Sequence, residues 1–254
     1  MYRISRCISA LGAIVIAAAG LAACGGGNSG EIVAQVAGVG SISKGTLEHW
    51  MPVEASLLYE EVPRKKVPAG VMPDPPTYTA CIAYLRSTKQ KILETGPKPT
   101  AAQLKDKCAQ KYQELKVLTL NTLIGWDWTI GMGATAGMKV TDTEVRQRLE
   151  AVKKNNLPGV SFTKYLKYTD QTVSDMLFRS RVQLFEVKFQ QQAITMAKFL
   201  PKGLTAQQQQ KAFAKLAAGL PTTKQWVART SCRTGYVTSS CRQYKGSLPP
   251  GIPN

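Results

Sequence analysis

The sequence predicts a mainly α-helical protein of several helices, with a short strand near the start of the domain that pairs with a strand near its end. Helix-capping residues recur along the chain, and apolar residues at helical spacing follow each of them. Strand character is found at 33–36 and at 236–237, and we expect these two segments to pair. A hydrophobic content of 44% is ordinary for a globular protein, which argues against disorder.

Residues 1–23 have the composition of a secretory signal peptide. Two arginines precede an apolar run at 8–19 that is too short to span a bilayer comfortably. The sequence Leu-Ala-Ala-Cys at 21–24 then looks like a bacterial lipobox, which predicts cleavage before Cys24 and lipid on its sulfur. An ordinary signal peptide, with Cys24 incidental, is the alternative.

The remainder is predicted to be a lipid-tethered domain on the outer face of the cytoplasmic membrane. Residues 24–31 would form the lipidated cysteine and a flexible glycine-rich tether, and 32–254 the domain. A proline-rich connection at 62–76 and a C-terminal helix with a disulfide tail at 205–246 belong to this domain. The membrane is therefore one expected partner, through the lipid anchor.

The chain is strongly basic, with a formal net charge of +17. The predicted leader carries two arginines and no acidic residue, so most of the excess belongs to the domain. An anionic lipid or wall surface is the partner that this charge favours, and charge kept only for solubility is the alternative. Nucleic acid is not an expected partner, because an exported protein rarely meets it.

Four cysteines remain when those of the leader and the lipobox are set aside. An even number of cysteines in an exported chain predicts two disulfides. Three connectivities are possible, and we favour pairing within local segments, Cys81 with Cys108 and Cys232 with Cys241. The spacings do not match a metal site and the only histidine, His49, is far away in sequence, so we expect no metal or other cofactor.

The first helix is predicted to begin at the cap Ser43 and to bury Leu47, Trp50 and Met51. Pro52 lies within the predicted helix, so we expect a kink or a break near Met51. The histidine of this helix has no evident acidic or nucleophilic partner in the sequence, which favours a structural position over a catalytic one.

Five prolines and three basic residues at 62–76 predict an extended, exposed connection. A helical stripe at 78–92 follows, and Thr100 with Gln103 forms a capping box that opens the next helix. Together they predict an antiparallel helix pair with the first disulfide across it.

The stretch from 118 to 192 is predicted as helix, turn, helix, turn, helix. Its first helix is expected to end at three glycines that supply C-terminal turns, Gly131, Gly133 and Gly137. A capping box at 141–144 opens the second helix, which stops at Pro158-Gly159. Thr172, with Asp175 three residues later, caps the long third helix.

In their order and spacing these segments resemble the N-terminal chaperone region of the SurA and PrsA foldases. The segments that carry the resemblance are 32–38 with 42–47, 123–124, 139–145, 162–166 and the helix from Thr172. The resemblance implies a helical chaperone domain that holds unfolded or nascent exported polypeptides without covalent chemistry. It does not extend to the family's parvulin isomerase domain, because only 194–204 separate the long helix from the predicted C-terminal helix.

Two tryptophans lie two positions apart on one predicted helix and therefore point to roughly opposite faces. We expect one of Trp126 and Trp128 to enter the core. The other, with Ile130, Met132 and Trp50, would line an apolar groove for extended peptides, since aromatic and methionine surfaces adapt to varied partners. Burial of both tryptophans in a broad helix cluster is the alternative.

No catalytic residue is assigned. The sequence has no P-loop, no strand followed by Gly-x-Gly-x-x-Gly, no Gly-x-Ser-x-Gly and no His-Glu-x-x-His. Two other functions stay open beside the chaperone. One is a residual peptidyl-prolyl isomerase of the SurA and PrsA type, and the other is a wall-associated interaction protein with one dedicated partner.

Overall fold

The computed structural model describes residues 30–59, 65–89, 99–155, 159–198 and 222–246, together with 205, 207, 208 and 211. The predicted leader, Cys24 and nearly all of the tether lie outside the described residues. The same holds for most of the helix predicted after Thr205, although its capping bonds with Gln208 are present.

The described part of the chain is mainly helical, with one small antiparallel sheet. The strands are β1 Ile32–Val36, β2 Gly40–Ser43 and β3 Thr230–Cys232. The helices are α1 Lys44–Leu57, α2 Thr79–Lys89, α3 Ala101–Thr135, α4 Asp142–Asn155, α5 Phe162–Tyr168, α6 Val173–Lys198 and α7 Thr223–Arg229. The predicted fold class is therefore confirmed. In the described ranges no helix combines the length and the apolar character needed to cross a membrane.

The sheet brings the two ends of the domain together, in the strand order β2-β1-β3. A tight turn with Gly38 at φ +80° joins β1 to β2, and β3 pairs antiparallel with β1, Ala34 opposite Cys232. The predicted pairing of a C-terminal strand is correct, but its assignment to 236–237 is wrong. A turn at Gly235 reverses the chain after β3, so these residues lie beyond the sheet.

Helix starts follow the predicted caps. Ser43 accepts a hydrogen bond from the amide of Thr46 at 3.0 Å, and Thr100 forms a complete capping box with Gln103. The boxes at 141–144 and 172–175 have the same reciprocal bonds. Each cap satisfies amides that the first helical turn leaves without partners.

Of the kink or break expected near Met51, the break is wrong, because α1 continues through Pro52 to Leu57. Proline at this position removes one intrahelical hydrogen bond. The neighbours Met51 and Val53 are 1% and 0% exposed, so their burial holds the helix together across the missing bond.

The long helix α3 is the shared element of the main core. It contacts α1, α2, α6 and strands β1 and β2. The core packs α3 against the sheet, α1 and Trp226 of α7, through the buried residues Val33, Val36, Leu47, Met51, Leu120, Leu123 and Ile124.

Two glycines of α3 allow its neighbours to approach closely. A Cβ at Gly131 would meet the rings of Trp226, and a Cβ at Gly133 would meet the ring of Phe185 on α6. Both glycines lie inside the helix, so the expectation that they supply C-terminal turns is wrong. Gly137, at φ +68°, lies just beyond the end of α3 and has the conformation expected of a helix terminus.

Asp127 of α3 faces the β1–β2 hairpin, with its carboxylate oxygens 3.7 and 3.8 Å from the position of a Cβ at Gly40. Burial raises the pKa of Asp127 from 3.8 to about 6. The carboxyl is protonated in both the folded and the unfolded chain at low pH. As the pH rises from 3.8 to about 6, the unfolded chain releases this proton while the folded chain keeps it, so the folded chain loses stability; the loss is complete above about 6.

We expect Gly133→Ala to lower the free energy of unfolding by about 1–3 kcal/mol, because the new methyl overpacks the Phe185 contact. Gly125 lies in the same helix, and no described atom lies within 4 Å of its Cβ position. Gly125→Ala should therefore raise stability by about 0.5–1 kcal/mol through helix propensity. Urea denaturation measures the free energy of unfolding of both variants. Equal changes would contradict close packing of Phe185 against Gly133.

We expect Asp127→Asn to stabilise the chain on the order of 2 kcal/mol near pH 8 and to have little effect near pH 4. The amide removes the cost of ionising a partly buried carboxyl but keeps its shape. Thermal unfolding of both proteins across this pH range measures the difference. A stabilisation that is independent of pH would show that ionisation of Asp127 is not its cause.

Candidate functional site

Two of the aromatic residues predicted to line a groove lie instead in an aromatic cluster between helices. Trp50 of α1, Trp126 of α3 and Phe178 of α6 stack edge to face or tilted, with ring centroids 4.8 to 6.2 Å apart. Trp50 is 5% exposed. The cluster joins three helices, and its other two rings, Trp126 and Phe178, are partly exposed.

The second tryptophan of α3 is also packed. The indole Nε1 of Trp128 donates a hydrogen bond to the Oγ1 of Thr230 at 2.9 Å, on the opposite side of the helix from Trp126. Met132 packs against the main core, and Ile130 is partly buried. Both tryptophans therefore contact neighbouring elements while staying partly exposed. Trp126 lies against α1 and α6, and Trp128 lies against β3. That one of them lines a groove for peptides stays a prediction.

His49 has an acidic partner that the sequence did not reveal. Its Nε2 lies 2.9 Å from Oδ1 of Asp175, a buried carboxylate in the first turn of α6. The two residues are 126 positions apart, so no local pattern could have paired them. The contact ties α1 to α6.

An apolar cleft of about 550 Å³ opens on another part of the surface. It lies between the end of α1, the segment 69–73, α2 and the first half of α3. Its walls are mostly apolar and include Leu58, Val71, Pro73, Tyr84, Leu85, Leu115 and Leu118. Lys111 and Glu114 supply charge of both signs at the same cleft.

Two leucines at the cleft are exposed to a degree that is unusual for large apolar side chains. Leu58 is 63% exposed and Leu118 is 41% exposed. Contiguous exposed apolar surface on a folded domain marks a binding site more often than scattered single residues do. The cleft is therefore the candidate functional site.

The segment 69–73 forms one wall of the cleft, and its backbone packs closely against the start of α2. Gly70 has φ +88°, and a Cβ there would collide with the carbonyl of Ala80 at the start of α2. Gly70 and Pro73 are buried. The expectation of an exposed connection at 62–76 is therefore wrong for this part of it, because packing on α2 orders the segment.

Asp74 then fixes the start of α2. Its two carboxylate oxygens accept hydrogen bonds from the amides of Ala80 and Cys81, both at 3.0 Å. Burial alone would raise the pKa of Asp74, but these amide bonds outweigh it and the pKa is lowered. The carboxylate therefore stays ionised and holds the helix terminus.

A disulfide attaches α2 to α3. Cys81 and Cys108 are bonded, with a Cα–Cα distance of 6.1 Å, and they form a small second core with Leu85 and Leu104. Closing a separation of 27 residues removes on the order of 3 kcal/mol of unfolded-chain freedom. This bond keeps the α2 wall in place beside the cleft.

The other disulfide joins Cys232 to Cys241 at the edge of the main core, with a Cα–Cα distance of 5.7 Å. Both disulfides have the local connectivity that the sequence favoured. Among the described residues, no group of three histidine, cysteine, aspartate or glutamate side chains is placed to hold a metal ion.

We expect Gly70→Ala to lower the free energy of unfolding on the order of 1–3 kcal/mol more than Gly38→Ala does. Both glycines have positive φ, so both substitutions carry the same backbone strain. No described atom lies within 4 Å of the Cβ position at Gly38, whereas Gly70 meets the backbone of α2. Chemical denaturation measures the free energy of unfolding of both variants, and equal losses would contradict close packing of segment 69–73 against α2.

Comparison of the chain with protein-family models, with curated proteins and with solved structures finds no match. A function for this chain is therefore argued from the geometry of the cleft and from the sequence.

Proposed function

We propose that this chain is a membrane-tethered chaperone of the holdase or foldase type, which binds unfolded exported polypeptides without covalent chemistry. The observation that carries the proposal is the apolar cleft between α1, α2 and α3, with exposed leucines at its edge. Extended apolar stretches of a client would occupy it.

The size and the lining of the cleft suit such a ligand. Its volume of about 550 Å³ falls within the range of about 300–1,000 Å³ that is typical of ligand pockets, enough for a few side chains. An apolar wall with few polar groups recognises hydrophobicity rather than one particular sequence. That breadth is what a protein with many clients requires.

The binding is expected to be weak and reversible. Burying one leucine side chain contributes about 1.5–3 kcal/mol, whereas association costs at least about 4 kcal/mol of lost freedom. A cleft that takes only a few side chains therefore leaves a small net free energy. Clients bound in this way leave when they begin to bury their own apolar residues.

The sequence supports the membrane location of this activity. The lipobox-like segment at 21–24 and the glycine-rich tether would hold the domain at the outer face of the cytoplasmic membrane. The basic charge of the chain would favour an anionic lipid or wall surface nearby. The resemblance to SurA and PrsA foldases supports the same kind of client.

We expect the purified chain to suppress aggregation of an unrelated protein diluted from denaturant at about equimolar ratio, because the cleft covers exposed apolar segments. Leu58→Asp and Leu118→Asp should each remove most of this suppression by placing a charge at the cleft. Light scattering during the dilution measures the effect.

The matched control is Ile194→Asp. Ile194 is 60% exposed, close to the 63% of Leu58, but it lies on α6 and does not line the cleft. Its substitution should leave suppression intact. Equal losses in the control and the cleft variants would indicate nonspecific surface adhesion, and no suppression by the unmodified chain at any ratio would rule out the proposal.

A further inference from the structure

We infer that helices α4, α5 and α6 enclose a binding site for a small oxyanion, a phosphate or carboxylate group held by Arg148 and Arg179. This site goes beyond the proposed function, because its residues belong to other helices than those of the apolar cleft. The inference does not depend on the chaperone proposal.

The site is a small cavity of about 150 Å³ whose polar groups can all donate hydrogen bonds. Its polar lining residues are Arg148, Arg179, Tyr165, Ser180 and Gln183, whose side chains all carry hydrogen-bond donors. Two apolar side chains complete the lining. None of the described carboxylates lines this cavity, so its chemistry favours a ligand that accepts hydrogen bonds.

Arg148 is the main reason to expect a ligand. Arg148 is partly exposed, but its Nε is buried and has no hydrogen-bond partner within the described part of the chain, and leaving a buried donor without a partner costs free energy. The acidic residues of the same helix do not offset it, because each is bound to another cation. These pairs are Asp142 with Arg181, Glu144 with Lys188 and Glu150 with Lys153.

Arg179 is held in a defined orientation at the same cavity. Its Nη1 donates a hydrogen bond to Oε1 of Gln171 at 3.1 Å, and Gln171 is 5% exposed. Glu54 of α1 also acts on it: burial raises the pKa of Glu54, and the charge of Arg179 partly lowers it. Glu54 therefore balances part of the charge of Arg179 and leaves that of Arg148 available.

The size and the donor set favour an oxyanion over other ligands. The planar guanidinium fork matches the oxygens of carboxylate and phosphate groups, and such bonds are roughly twice as strong as neutral ones. A cavity of about 150 Å³ holds a ligand of about the size of benzene. A phosphate ion or a short carboxylate is within that size, whereas a polymer segment is not.

The test uses the purified full-length chain with ¹⁵N-labelled arginine, titrated with sodium phosphate or sodium acetate at constant ionic strength. We expect the Nε–Hε resonance of Arg148 to shift and to saturate with at least one of these anions. The anion that binds more tightly identifies the ligand class. Sodium chloride at the same ionic strength should leave this resonance unchanged.

Arg148→Gln and Arg179→Gln should each weaken anion binding about tenfold or more, because each removes a charge-assisted hydrogen bond. Arg146→Gln is the control, since Arg146 is an exposed residue of the same helix that does not line the cavity, and we expect a change below about twofold. Calorimetry measures the three affinities.

Two results would overturn the inference. One is a resonance of Arg148 that does not respond saturably to either anion in the unmodified chain, a measurement that needs no variant to fold. The other is an equal loss of affinity in Arg146→Gln, which would show that general surface charge attracts the anion.

Discussion

The structure depends on the packing of one long helix, α3, against neighbours that cover it unequally along its length. Its central residues Leu120 and Ile124 are 1% and 0% exposed and lie against α1 and the sheet. Further along, Gly131 and Gly133 let large rings approach the helix axis. Close packing of this kind yields dispersion energy only where the shapes match, so a side chain at either position would displace the neighbouring ring and cost stability.

The uneven coverage of α3 by its neighbours explains where the candidate site lies. The second half of α3 is enclosed from several sides, and both of its tryptophans are packed there. The first half rests on α2 through one disulfide and a small second core. Between that core and the main one, the apolar residues of α1, α2 and α3 are left facing a cleft. The proposed binding surface is thus the part of the helix that lacks a second layer.

Local signals in the sequence predicted the elements of the fold well. The caps at Ser43, Thr100, Thr141 and Thr172 are correct because a cap depends on residues three positions apart. The pairing of each disulfide within its own segment is also correct. Helix continuation through Pro52 could not be predicted, since it depends on the burial of neighbouring side chains by distant elements.

The candidate site was predicted poorly, because its parts come together only in the tertiary structure. The tryptophans at 126 and 128 suggested a groove by their chemistry, but neither of them lines the cleft. Leu58 and Leu118 are distant in a chain with many leucines, and only the structure shows them at one cleft. Composition alone assigns Gly70 to a linker. Its close approach to the carbonyl of Ala80 arises only in the folded chain.

The central claim, that this cleft holds unfolded chains, is tested most directly by NMR of methyl-labelled leucine, isoleucine and valine. The labelled chain would be titrated with a permanently unfolded, carboxymethylated polypeptide. The account predicts that the methyl resonances of Leu58, Leu115 and Leu118 shift with the client while that of Ile194 stays in place. Shifts confined to residues outside the cleft, or no shifts at saturating client, would contradict it.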